Sequence, residues 1–197
     1  MRKDFGMRNP LKVSSTKDPF KGAASFSLRH RLIRMLWATT WALFASWTPA
    51  PLHRWRVFLL KIFGAQVHST AHIYSSVKIW YPANLIMDAH ACLAPHVNCY
   101  NMNTVHIGEK AIVSQYSTLC GGTHDIRDPK FQLITKPIIV EKGAWVAANA
   151  FIGPGVIIAE NSVVGACGVI FKNTVKNGIY TGNPAQLVKM REFKDAQ

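Results

Sequence analysis

The chain has 197 residues, 49% of them hydrophobic, which suffices for one domain with one long core. Its formal net charge is +13, but residues 1–61 hold twelve Lys and Arg against Asp4 and Asp18, a net of +10, and the rest only +3. That asymmetry excludes a nucleic-acid groove on the body of the chain and turns the N-terminal segment toward an anionic surface. Cys92, Cys99, Cys120 and Cys167 contain no C-x-x-C pair, so buried free thiols in a reducing compartment are expected, without disulfides or a metal site.

Residues 1–27 are polar and rich in Lys, Ser and Gly, the composition of a flexible basic N-terminus. Residues 28–64 read as two helices. The first begins at Leu28 with Arg and His and continues as an uncharged, Trp-rich run. Pro49 and Pro51 break that run and leave it marginal for spanning a bilayer. The second sets Leu52, Trp55, Leu59, Ile62 and Phe63 near one face, with Gly64 as its stop. This segment has two readings, a cap over an open-ended core or a hairpin at the membrane interface, and the two are compatible.

From Val67 the text keeps a six-residue beat. An aliphatic or small apolar residue falls at Val67, Ile73, Ile79, Leu85, Ala91 and Val97. After a slip of four it resumes at Ile107, Val113 and Leu119, and after an insertion at Val140, Val146, Ile152, Ile158, Val164 and Ile170. The fourth residue after most beats is small, as at Ala71, Ala111, Ser117, Ala150 and Gly168. Helices repeat at three and four and strands at two, so a strict six names a repeat of short edges and tight corners. Three edges close a coil of roughly 18 residues, stacked about 4.8 Å from the next. The expected fold is therefore mainly β, a parallel β-helix over 65–182 with a loop at 125–139 and a tail at 183–197.

The hexad resembles that of the hexapeptide-repeat acyltransferases, which are left-handed parallel β-helices. Trp145, Pro154-Gly155-Val156 and Gly182-Asn183-Pro184-Ala185 match that family's C-terminal coils. Tyr100-Asn101, His124-Asp125 and Asp128-Pro129-Lys130-Phe131 are similar to elements of the acetyltransferases of colanic acid and exopolysaccharide biosynthesis. The resemblance covers roughly residues 28–191. It implies an acetyl-CoA-dependent O-acetyltransferase acting on a sugar or lipid-linked saccharide, a homotrimer with sites between subunits. The expected location is cytoplasmic, peripheral at the inner membrane face, and no metal is required.

It also implies roles. His124 is the general base and Asp125 its neighbour. The Ala148 amide faces the thioester oxygen and Trp145 walls the pantetheine channel. Ala166, Phe171 and Lys172 lie near the nucleotide end of coenzyme A. Gln186 stands where many relatives carry Lys or Arg, for which Lys189 and Arg191 could compensate. Tyr100, Asn101 and Asn103 are acceptor candidates, with Asn101 alternatively an inward corner residue satisfied by stacked backbone. His106, one coil-length earlier, is expected to stack on the face of His124. An acetyltransferase of a small amino sugar or antibiotic, a carbonic-anhydrase-type β-helix and a non-catalytic scaffold stay open as alternatives.

Overall fold

The computed structural model describes residues 25–193, so most of the expected flexible N-terminus and the end of the tail lie outside the described residues. Short parallel strands stack on three faces. The first face carries Gln66–Val67, Leu85–Met87, Val105–Ile107, Ile138–Val140 and Ile157–Ile158. The second runs from His72–Ile73 up to Gly178–Gly182, against which Ala185–Met190 folds back antiparallel. The third runs from Lys78–Ile79 through Asn98–Tyr100 and Thr118–Cys120 to Val169–Ile170. Five coils and the start of a sixth form a left-handed parallel β-helix.

The pairing corrects the expected frame. Val67 pairs with Met87, Ile73 with Leu93 and Ile79 with Cys99. The inward beats of the second coil are therefore Met87, Leu93 and Cys99, whereas Ala91 and Val97 are buried corner residues. The single slip of four is really two slips of two, both at the corner between the third and first faces. One contains the 3-10 turn Pro82–Asn84. Only the last full coil has the anticipated 18-residue spacing, as in Val140 with Ile158.

The corners follow from backbone chemistry. His90, His96, Lys110, Tyr116, Asn149, Asn161 and Cys167 all have φ near +60°, a conformation that costs an L-residue about 1–2 kcal/mol. Each offsets it with an N–H bond to the coil below, for example Asn149 to the Gln115 carbonyl at 3.1 Å and His96 to Ser76 Oγ at 3.0 Å. His90 and His96 thus hold structural corners. Among the cysteines Cys99 alone is fully buried, its thiol pushed up to about 12 by desolvation, and Cys167 is exposed, against the expectation of four buried thiols.

Helices α1 (Leu28–Phe44) and α2 (His53–Ile62) close the first coil. Ser27 Oγ accepts from the His30 amide at the start of α1, and Gly64 at φ 87° ends the hairpin. Trp37 Nε1 donates to the Ile79 carbonyl at 2.8 Å and Trp41 Nε1 to that of Ser75 at 3.0 Å. Arg56 Nε donates to the Ile73 carbonyl at 2.6 Å. These side chains satisfy carbonyls that an open coil would leave bare. The face expected of α2 is buried only in part, through Leu59 and, just beyond the helix, Phe63. Arg56, Val57, Leu59 and Leu60 turn inward, and Leu52, Trp55 and Ile62 are exposed.

Candidate active site

The insertion after the third coil is an arm, not a loop. Gly122–His124 pairs antiparallel with Leu133–Thr135, so His124 stands on a hairpin beyond the coil instead of at a coil end. Asp128 makes the tip. Its Oδ1 accepts from the Lys130 amide at 2.8 Å and its carbonyl from the Phe131 amide at 2.8 Å, with Pro129 presetting the turn between them. Phe131 leaves that turn at φ 50°. Its ring then stacks on His124, centroids 4.7 Å apart and 9° from parallel. Its carbonyl accepts from His124 Nδ1 at 2.7 Å.

That bond fixes the chemistry of the imidazole. A carbonyl oxygen only accepts, so Nδ1 carries a proton, and in the neutral imidazole the lone pair is on Nε2. The side chain is exposed, so the lone pair can meet a substrate. Phe131 is the orienting residue that sequence reasoning left unnamed. The Asp128-Pro129-Lys130-Phe131 motif was its signal. Asp125 does not orient His124 in this way: its carboxylate accepts from the Arg127 amide at 3.0 Å and lies 3.6 Å from the Arg127 guanidinium.

The acceptor candidates separate. Asn101 is fully buried, accepting from the Tyr81 amide at 3.0 Å and donating to the Tyr81 carbonyl at 2.7 Å. Asn103 holds the root of the arm, with Nδ2 toward the Thr135 carbonyl at 3.3 Å and Oδ1 taken by the Thr104 amide. Both amides bond backbone, the inward-corner role that was the alternative for Asn101. Tyr100 is half-buried and edge-on to Trp80, whose other neighbours include Phe26, His30 and the Arg34 guanidinium, 4.1 Å from its ring centre. Burial raises the Tyr100 phenol above its usual range. His106 does not stack with His124. It lies on the first face and bonds Asp88 through Nε2 at 2.9 Å.

The residues assigned to the acyl donor sit elsewhere on the prism. Trp145, half-exposed on the second face, donates to Ser114 Oγ at 2.9 Å. Ala148 and Ala166 occupy the same corner, between the second and third faces, in consecutive coils, linked by the Cys167 amide on the Ala148 carbonyl at 2.9 Å. The Ala148 amide donates to no carbonyl among the described residues, and neither does that of Gln115 one coil earlier. The corner geometry thus exposes an N–H without singling this one out. At the C-terminal end Phe171, Lys172, Tyr180, Pro184 and Gln186 line a cleft of ≈ 340 Å³. Lys189 lies outside that lining, paired with Ile179 on the final hairpin, and Arg191 donates to the Gly143 and Asn161 carbonyls.

No family model matches the chain. Over 159 residues, 81% of this chain and 87% of the relative, it is 38% identical to an Escherichia coli K12 protein provisionally named colanic acid biosynthesis acetyltransferase WcaF. The chain belongs to the hexapeptide-repeat acetyltransferases. It is 25% identical over 143 residues, 71% of this chain and 70% of the relative, to galactoside O-acetyltransferase of the same organism. The fold matches a Vibrio cholerae hexapeptide-repeat acetyltransferase complexed with acetyl coenzyme A, with a TM-score of 0.74, 20% identity, and 85% and 91% of the two chains covered. A galactoside acetyltransferase in complex with coenzyme A gives 0.72, 22%, and 87% and 90%. An acetyltransferase needs a proton acceptor, an oxyanion donor and a means of holding both substrates. In this chain the candidate acceptor stands on the arm and the candidate donor at a different corner. Among the described residues no group of three or more His, Cys, Asp or Glu could hold a metal.

Proposed function

We propose that this acetyltransferase moves the acetyl group of acetyl-CoA onto a sugar hydroxyl in a polysaccharide precursor. Nε2 of His124 takes the hydroxyl proton as the oxygen attacks the thioester carbonyl. The carbon–sulfur bond breaks, an ester forms, and the proton passes to the departing thiolate. The observation that carries the reading is the Nδ1 bond to the Phe131 carbonyl, which reserves Nε2 for this task. The open N–H of Ala148 suits the developing oxyanion, with Trp145 beside the pantetheine arm. The cleft of Phe171 and Lys172 suits the nucleotide end; Gln186 supplies an amide there but no charge.

Because the arm and the Ala148 corner stand on different edges of one prism, a neighbouring copy is needed to complete each site, which favours a trimer. The named activities of the relatives support a sugar acceptor. The donor is a cytoplasmic metabolite, so a lipid-linked saccharide would be met at the inner face of the membrane. The test is His124→Ala, expected to lower kcat by about 10²–10⁴ with coenzyme A affinity unchanged. Near-normal turnover would remove His124 from the mechanism. Mass spectrometry of surface polysaccharide from cells with and without the protein identifies the acceptor.

A further inference from the structure

The helical hairpin has two apolar faces, and the coil stack covers only one. On α1 the outward stripe is Leu32, Met35, Leu36 and Leu43, at spacings of three, four and seven, each at least half exposed. On α2 it is Trp55, Phe58 and Ile62. Trp55 joins the stripes, donating Nε1 to the Phe44 carbonyl at 2.7 Å and stacking on Phe58 at 5.7 Å. A contiguous exposed patch of this kind marks a surface that meets something apolar.

Its rim says what. No Asp or Glu occurs between Asp18 and Asp88, and Arg29, Arg31, Arg54 and Lys61 are exposed on the two helices. A second copy docked face to face would oppose these cations to themselves, whereas anionic headgroups would match them. Trp47, 71% exposed at the hairpin bend, donates its indole N–H to the Leu43 carbonyl at 2.8 Å. With that of Trp55 it is already satisfied inside the hairpin. Both rings can therefore enter hydrocarbon without burying an unpaired donor. Among the described residues no helix is long and apolar enough to cross a membrane.

We infer that the outer face of the α1–α2 hairpin is a docking surface for an anionic lipid bilayer, lying in its interface with the coil stack standing away from it. The reading does not depend on the role of His124, since it concerns the opposite side of the hairpin from the coils. The test is co-sedimentation of the full chain with phosphatidylcholine vesicles, with and without phosphatidylglycerol. Binding is expected to the anionic vesicles, weakened but not abolished by high salt. Phe58→Glu with Ile62→Glu, and separately Leu36→Glu, should reduce the bound fraction about tenfold. Circular dichroism and coenzyme A binding should not change. Failure to sediment with anionic vesicles at low salt overturns the inference. So does unchanged binding by the variants, which would place lipid affinity outside the hairpin face. Concentration-dependent self-association abolished by the same variants would make a second copy the occupant and overturn it as well.

Discussion

Arg56 shows how a residue type can be read correctly and assigned wrongly. In the sequence it is one of twelve N-terminal cations; in the structure it is fully buried. Its guanidinium donates to Ile73, Pro49 and Ala50 carbonyls and to Thr48 Oγ1 at 2.7 Å, and burial lowers its pKa. Arg56→Met should destabilise the protein by about 1–3 kcal/mol, because the Ile73, Pro49 and Ala50 carbonyls and the Thr48 hydroxyl lose a shared donor. Lys should rescue little, since an ammonium cannot reproduce the planar fork. A lower denaturant midpoint with an unchanged slope would show this. His30, buried between Phe26 and Tyr81 with Arg34 nearby, has its pKa held below the ordinary 6.5, mainly by desolvation. Its folded form prefers to be neutral, so its contribution is complete above pH 6.5 and is lost as pH falls below that. Melting temperature should therefore drop on acidification through that range, and less so in His30→Phe. The Arg56 partners and Tyr81 were not legible in the sequence, because they lie in another coil or turn, whereas Phe26 and Arg34 stand four residues to either side of His30, at helical spacing.

At the scale of elements, the arm was visible as an interruption of the beat and its tip as a motif, but the hairpin was not. Short strands such as Gly122–His124 carry too little pattern to be read without their partner. The turn built by Asp128 delivers the Phe131 carbonyl to the imidazole, the contact on which the role proposed for His124 rests. Asp128→Ala should leave coenzyme A affinity intact and lower kcat by about tenfold, as His124 loses the carbonyl that orients it. An unchanged kcat would separate the turn from the site. The helices show the reverse case. Their existence and end were legible from Gly64 and the prolines, whereas the buried face of α2 was legible only in part, because apolar residues lie on both sides.

For the whole molecule, the coil architecture was readable because every coil repeats one steric demand. The frame of the second coil was not, for a physical reason. Corner positions such as Ala91 and Val97 also point inward, so they satisfy the beat as well as Leu93 and Cys99 do. A slip of two residues exchanges the two roles without breaking the pattern. Ile152 is fully buried in both frames, paired with Leu119 and Ile170. Ile152→Lys should prevent folding, since an ammonium there has neither water nor a partner. Native circular dichroism and sedimentation from that variant would contradict the packing.

The two slips and the arm share one location, the corner from the third face to the first. Eight residues separate Ile79 from Met87 and Cys99 from Ile107 there, 21 separate Leu119 from Val140, and six separate Ile152 from Ile158. The ladders on either side keep their alignment throughout. Chain closure penalises such growth weakly, by about 1 kcal/mol from eight residues to 21. This corner therefore behaves as an insertion port, through which new text can enter while the rest of the prism keeps its register. A graft that replaced residues 122–135 with the arm of another acetyltransferase would change the tip presented to a substrate and leave the opposite corners untouched. On the function proposed above, diversification of acceptor choice could then proceed by exchange of a single segment, with the proposed donor side inherited unaltered.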